Sequence, residues 1–170
     1  LYTFQFAREY NDILYTVLLP VGRDDVVKAK FAFTICIEAI TFILDTVLAT
    51  IRMTVLSEAV PYTSNPLIGA NLAFLGYVLI VYALFNMVFL VGFFKTAYRY
   101  GKPFVKFCVA AFVVVILSEV LPHLPGLSML GVTTVDPVQI VVLVVGILSF
   151  VFGTAGSLRA SVKNFSQIDL

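Results

Sequence analysis

Apolar residues in this chain gather into long charge-free runs, and each run predicts a membrane-crossing helix. Residues 67–94 carry no charge and stop at Lys95, and residues 137–158 are likewise uncharged and stop at Arg159. A helix needs about 20 mostly apolar residues to cross about 30 Å of hydrocarbon, so both runs read as spans. Residues 104–121 are apolar apart from Lys106 at one end and Glu119 near the other, and a long lysine stem lets its ammonium reach the membrane surface. Residues 31–55 (FAFTICIEAITFILDTVLATIRMTV) are also long enough to cross, although they carry Glu38, Asp45 and Arg52. The expected fold class is therefore all-α: a polytopic membrane helix bundle with four spans, residues 1–170 forming a single transmembrane domain.

Turn-forming connections separate the runs. SEAVPYTSNP at 57–66 contains two prolines, KTAYRYGKP at 95–103 is basic, and LPHLPGLSMLGVTTVDP at 121–137 contains three prolines and two glycines. Prolines placed there start or stop helices without breaking one internally. The last of these stretches is apolar enough to form a short interfacial or re-entrant helix. No internal repeat is visible.

Composition agrees with the runs. Of 170 residues, 61% are hydrophobic and 12% charged, against about 45–50% and about 25% in soluble domains, and the mean hydropathy is +1.03. This excludes a soluble enzyme, a nucleic-acid binder and a disordered tail. The net charge of +1 supplies no bulk field toward an anionic partner. Its distribution carries more. Of the 11 Lys and Arg, all but Arg52 lie before the first run, around the 95–103 connection or after the last run, whereas 57–66 and 121–137 have none. The positive-inside rule then puts both chain ends and the 95–103 connection in the cytoplasm of a cell whose plasma membrane the chain crosses.

The segment before the first span differs from the rest. In TVLLPVGRDDVVKAKF (16–31), Pro20 ends any preceding helix, Gly22 permits a turn, and Asp24 or Asp25 can cap a new helix whose dipole favours acids at its start. Lys28 and Lys30 fall toward its other end, with Val26, Val27 and Phe31 on an apolar side. Residues 16–30 thus predict a short amphipathic helix at the cytoplasmic surface, residues 1–15 the tail of an earlier span and 159–170 a cytoplasmic tail. The chain begins at Leu1 without an initiator Met and is expected to be part of a longer product.

Leu19-Pro20-Val21-Gly22-Arg23-Asp24-Asp25-Val26-Val27-Lys28-Ala29-Lys30 resembles the Leu-Pro-x-Ser/Gly-Arg-x-x-Ile/Val-Val-x-Ala/Gly-Lys motif of the small permease subunits of type-2 ATP-binding-cassette exporters. The acidic and aromatic stretch Arg8-Glu9-Tyr10-Asn11-Asp12 resembles the segment leading into that motif. The ending from Ser157-Leu158-Arg159 to Asp169-Leu170 is loosely similar to the family's closing pattern. The family usually has six spans, two before the motif. The resemblance implies that Pro20, Gly22, Arg23, Asp24, Asp25, Lys28 and Lys30 couple the spans to a cytoplasmic ATPase subunit. It also implies a second permease subunit, identical or different, and no nucleic-acid partner. ATP and magnesium would sit on the ATPase and no cofactor in this chain, which lacks a GxxxxGK[ST] phosphate loop. The implied function is export of an amphipathic or hydrophobic substrate, peptide or lipid-like. A substrate-capturing subunit of a vitamin or metal importer, or a membrane scaffold, has similar size and hydropathy.

Acids within a span cost about 2.5–3.5 kcal/mol each on insertion scales and avoid lipid. Glu38, Asp45 and Arg52 recur every seven residues, and a heptad drifts only about 20° around a helix, so the three share a stripe facing protein or water. Helix pairing and a translocation path at a dimer interface both fit it. Asn71 and Asn86 read as interhelical hydrogen-bond partners, and Gly69/Ala73, Ser149/Gly153, Gly146 and Gly156 as close-approach points. Tyr62, Tyr98 and Tyr100 fall where an interfacial aromatic belt would. Glu119 is expected to be solvated at an outer boundary. Cys36 and Cys108 lie inside apolar runs and read as buried thiols, and His123 is a loop histidine without metal-ligand spacing.

Overall fold

The computed structural model describes residues 2–10, 15, 18, 20–58, 67 and 69–168. They form α1 (Tyr2–Glu9), α2 (Arg23–Thr54), α3 (Leu72–Lys95), α4 (Gly101–Val120) and α5 (Pro137–Ser166), with no strand among the described residues. Four of these helices are long and apolar enough to cross a membrane.

Helix boundaries follow local chemistry. α3 starts at Leu72, later than the apolar run does, because Asn71 caps it: its side-chain oxygen accepts from Phe74 N at 3.0 Å. α4 starts before Phe104 because Pro103 lies in its first turn, where the missing N–H leaves no bond unmade. Asp136 caps α5, its Oδ1 accepting from Val138 N at 2.8 Å, with Pro137 in the first turn. α5 then continues past residue 158 through Arg159 and Lys163 to Ser166.

The expected break between a surface helix and the first span is not there. One continuous 32-residue helix covers both, since no proline or glycine interrupts residues 23–54. Its N-cap is Gly22, without a side-chain cap bond, and Asp24 and Asp25 fall inside the first turn rather than capping it. At about 1.5 Å per residue α2 is about 48 Å long, well beyond the hydrocarbon thickness, so its first turns project past the apolar layer.

α3 is the central helix: 39% of the residues in its most apolar stretch are buried, against 17% for α2 and α5 and 6% for α4. It packs most extensively on α5. The backbones nearly touch there. A Cβ on Gly76 would lie 2.6 Å from the Val142 carbonyl oxygen, and one on Gly146 would run into Gly76 itself. Glycine at both positions permits this approach, as small residues do between membrane helices. Gly153 packs on Met87 and Ala83, whereas Gly156, expected to be a close-approach point, faces open space.

An aromatic core fills the end of the bundle that carries the basic residues. Phe4, Phe31, Phe89, Phe93, Phe94, Tyr98 and Phe165 are buried together. Tyr98 is not part of an interfacial belt. Its ring is 1% exposed, stacked on Phe93 at 4.7 Å and on Phe165 at 5.7 Å. Ala97 and Tyr98 reach this arrangement with φ of 48° and 67°, a left-handed conformation disfavoured for residues with a Cβ that packing of the ring offsets. Tyr100 is half-buried beside the same core, and Tyr62 lies outside the described residues. Cys36 and Cys108 are free but exposed, on outward faces of α2 and α4 rather than buried. They share those faces with Ile40, Ile43, Val109 and Phe112, the surface lipid would cover.

At the opposite end, residues 121–136 form no re-entrant helix but two single 3-10 turns, Leu121–His123 and Ser128–Leu130. Two buried amides hold them. Asn71 Nδ2 donates to the carbonyls of Leu130 (2.8 Å) and Val132 (3.0 Å). Gln139 Nε2 donates to those of Met129 (2.8 Å), Val132 (2.9 Å) and Thr134 (3.2 Å). Asn71 thus serves as a cap and loop tie rather than as a link between two spans. His123 is exposed.

Candidate functional site

The polar stripe of α2 faces protein along its length. Glu38 is 6% exposed, and its carboxylate accepts from Asn86 Nδ2 at 3.1 Å. The same nitrogen donates to Thr154 Oγ1 at 3.0 Å. One buried amide therefore joins α2, α3 and α5. Asn86 belongs to a π-helical segment, Phe85–Leu90, inside α3. Such segments add a residue to the turn and occur frequently at functional sites. Here the widened turn carries Asn86 toward both α2 and α5.

One to two turns further along α2, Tyr82 of α3 donates its hydroxyl to Thr41 Oγ1 (2.9 Å) and makes a longer contact, 3.4 Å, with Asp45 Oδ2. Arg52 turns instead to the end of its own helix, donating to the Leu56 carbonyl at 2.9 Å. The stripe thus divides: Glu38 and Asp45 reach α3 side chains, and Arg52 satisfies a helix terminus, a favourable place for a cation.

Clefts flank this row. One of about 330 Å³ includes Phe4, Thr34, Glu38, Thr41, Tyr82 and Phe107 in its wall. The other, about 520 Å³, is walled by Asp45, Phe74, Tyr77, Tyr82, Ser118 and Glu119 among others. Val81 and Tyr82 border both, so the two follow one another along α3 between α2 and α4. Glu119 is half-buried in the second cleft, not simply solvated at a boundary.

The segment singled out before the first span lies at the basic end. Pro20, Gly22, Asp24, Asp25 and Lys28 are exposed, while Arg23 and Lys30 are half-buried. Arg23 does not project freely, because its Nη1 donates to the Ile168 carbonyl at 2.9 Å. That bond joins the start of α2 to the chain just after α5. Lys28 pairs with Asp25 at 3.1 Å within one turn, and the Lys30 ammonium sits 5.2 Å from the centre of the buried Tyr98 ring. Leu19, Asn11 and Asp12 lie outside the described residues.

Sequence reasoning found Glu38, Asp45 and Asn86 but not Thr41, Tyr82 and Thr154, which complete their contacts. A signal existed: Thr41 follows Glu38 by three residues and Tyr82 precedes Asn86 by four, the spacings of neighbours on one helix face. Gln139 and Gly76 were also missed, since which polar or small residue of an apolar run meets a neighbour depends on how the helices cross.

The family model described as ABC-2 family transporter protein matches residues 1–166 of the chain. No curated protein and no solved structure matches it.

Proposed function

Since this chain belongs to the ABC-2 family of transporter membrane proteins, we propose that it is the permease subunit of an ATP-driven exporter and that residues 20–30 are its contact with the ATPase. As a membrane component of such a transporter it works with ATPase partners. In the proposed arrangement a pair of permease subunits, identical or different, sits in the plasma membrane with both described chain ends in the cytoplasm. ATP and magnesium are bound and spent on the separate ATPase subunits, and an amphipathic peptide or lipid-like molecule is carried outward.

The observation that carries the coupling role is the continuity of α2. Asp24, Asp25 and Lys28 are exposed on its first turns, and nothing in residues 23–54 interrupts the helix before it reaches Glu38 and Asp45. A push on the exposed turns is therefore transmitted as motion of a rigid rod, where a hinge at Phe31 would absorb it. Arg23 adds a second lever, since its bond to Ile168 links that push to the end of α5.

Reversing the exposed charges tests the reading. Asp24→Lys with Lys28→Glu leaves the packed faces of α2 untouched, so expression and membrane insertion should match wild type. Mismatched rim charges at an interface slow association and weaken docking. We expect co-purification of the ATPase to fall by at least about tenfold and substrate-stimulated ATP hydrolysis in liposomes to be lost. Wild-type values in both measurements would overturn the coupling assignment, and ATP-driven movement of substrate toward the side that carries the ATPase would decide against export.

A further inference from the structure

We propose that the two successive clefts between α2 and α4 are the substrate site and that they select amphiphiles with a cationic headgroup, an ammonium or guanidinium held at Glu38 or at Asp45. The proposal rests on the reading of the chain as a transporter permease and adds the chemistry of what it carries.

The argument is one of donors and acceptors. The charged side chains walling the two clefts, Glu38, Asp45 and Glu119, are all acidic. The donors in contact with Glu38 and Asp45 are already engaged: the Asn86 amide nitrogen on Glu38 and Thr154, and the Tyr82 hydroxyl on Thr41 and Asp45. Acceptors remain. Glu38 Oε1 and Asn86 Oδ1 are both buried without a hydrogen-bond partner, although Glu38 is 94% shielded and part of the cleft wall. A buried acceptor left unmatched costs about 1–3 kcal/mol, more when charged, and lipid tails offer no donor. A cationic headgroup supplies several donors and the opposite charge together. An anionic headgroup would meet a carboxyl group in either cleft, and a neutral one would bring no opposite charge.

The rest of the two clefts suits the apolar part of such a molecule. Their walls are Phe, Val, Leu and Ile between the polar points, including Phe85 and Phe107 near Glu38 and Phe74 and Val114 near Asp45. Glu38 and Asp45 stand seven residues apart, about 10 Å along the helix at about 1.5 Å per residue. They offer two successive stations for a cationic head while the chain it carries stays among apolar side chains. Arg52, the cation on the same stripe, is turned to Leu56 and is not part of either wall.

Photo-crosslinking of the permease with its ATPase in lipid nanodiscs tests this, using three probes with one diazirine-bearing dodecyl chain and a primary ammonium, a hydroxyl or a sulfonate head. We expect the ammonium probe to label cleft residues, read by peptide mass spectrometry, at least about tenfold above the other two. In Glu38→Gln and Asp45→Asn its labelling should drop to the level of the hydroxyl probe, with the hydroxyl probe unchanged. Equal labelling by the three heads on the wild-type chain overturns the proposal without any need for the variants to fold. Undiminished ammonium labelling in both folded variants does so as well. ATPase co-purification is scored on the same samples: charge-independent labelling with normal co-purification defeats the cation site alone, and loss of co-purification on charge reversal at Asp24 and Lys28 is read independently of headgroup preference.

Discussion

Asn86 is the residue on which three helices converge. Its nitrogen serves Glu38 and Thr154 at once, and it is fully buried. In this setting removing one partner is worse than removing both. Asn86→Leu strands the Glu38 carboxylate in an apolar interior and should destabilise the bundle by about 1–3 kcal/mol, or more for a charged group. Adding Glu38→Met, which replaces both polar partners by apolar groups of similar size, should recover most of that loss. The measurement is the temperature at which half of the detergent-solubilised protein ceases to elute as a single species. A double variant as weak as Asn86→Leu alone would mean that the cost is one of shape and not of an unmatched polar group. Tyr98 shows a related balance, since its positive φ is held by ring packing on Phe93 and Phe165.

At the scale of elements, α3 is the axle of the bundle and Gly76 is its bearing surface against α5. Two glycines in apolar helices look alike in sequence, yet their surroundings differ. A Cβ at Gly76 meets the Val142 backbone at 2.6 Å, while one at Gly156 meets nothing within 4 Å. Gly76→Ala therefore has to push α5 away, a form of overpacking that costs about 1–3 kcal/mol. Gly156→Ala gains helix propensity of up to about 1 kcal/mol. The same elution assay should place the two variants on opposite sides of wild type, and equal behaviour would show that α3 and α5 do not cross at Gly76. The π-helical segment Phe85–Leu90 lies on the same helix and lets Asn86 face inward while Phe89 and Phe93 enter the aromatic core.

For the whole molecule, the long helix ends and the basic residues fall at the same end. α2 and α5, of 32 and 30 residues, overshoot the hydrocarbon at the end where Arg23, Lys28, Lys30, Arg159 and Lys163 cluster, and Arg23 ties the two ends together through Ile168. The other end is closed by the loop that Asn71 and Gln139 hold, without a Lys or Arg in 121–136. With Cys36 and Cys108 replaced by alanine, Ser128→Cys should react with a membrane-impermeant maleimide added to intact cells, and Ser166→Cys should react only after lysis. Both serines are exposed, so access through the bilayer alone decides the outcome. Labelling of Ser166→Cys in intact cells would reverse the topology and with it the side on which the ATPase docks.

How much of this was legible beforehand follows from the range of the forces involved. Burying about 20 apolar residues in lipid depends on composition within one segment, so the four spans and the all-helical class could be read from the order of residues alone, as could the shared face of Glu38, Asp45 and Arg52, which needs only helical geometry. The motif at 19–30 was legible for the same reason of locality, and it led to the family. What each stripe residue touches was not: whether Glu38 meets an amide, whether Asp45 meets Tyr82, and whether Arg52 seeks an acid or its own helix end depend on how helices far apart in sequence cross. The aromatic burial of Tyr98, the exposure of Cys36 and Cys108 and the contact of Gly76 with Gly146 belong to that second group. Lipid makes every apolar face equally acceptable, so hydropathy cannot rank one face against another, and only the close fit of neighbouring backbones chose which side of each helix turned inward.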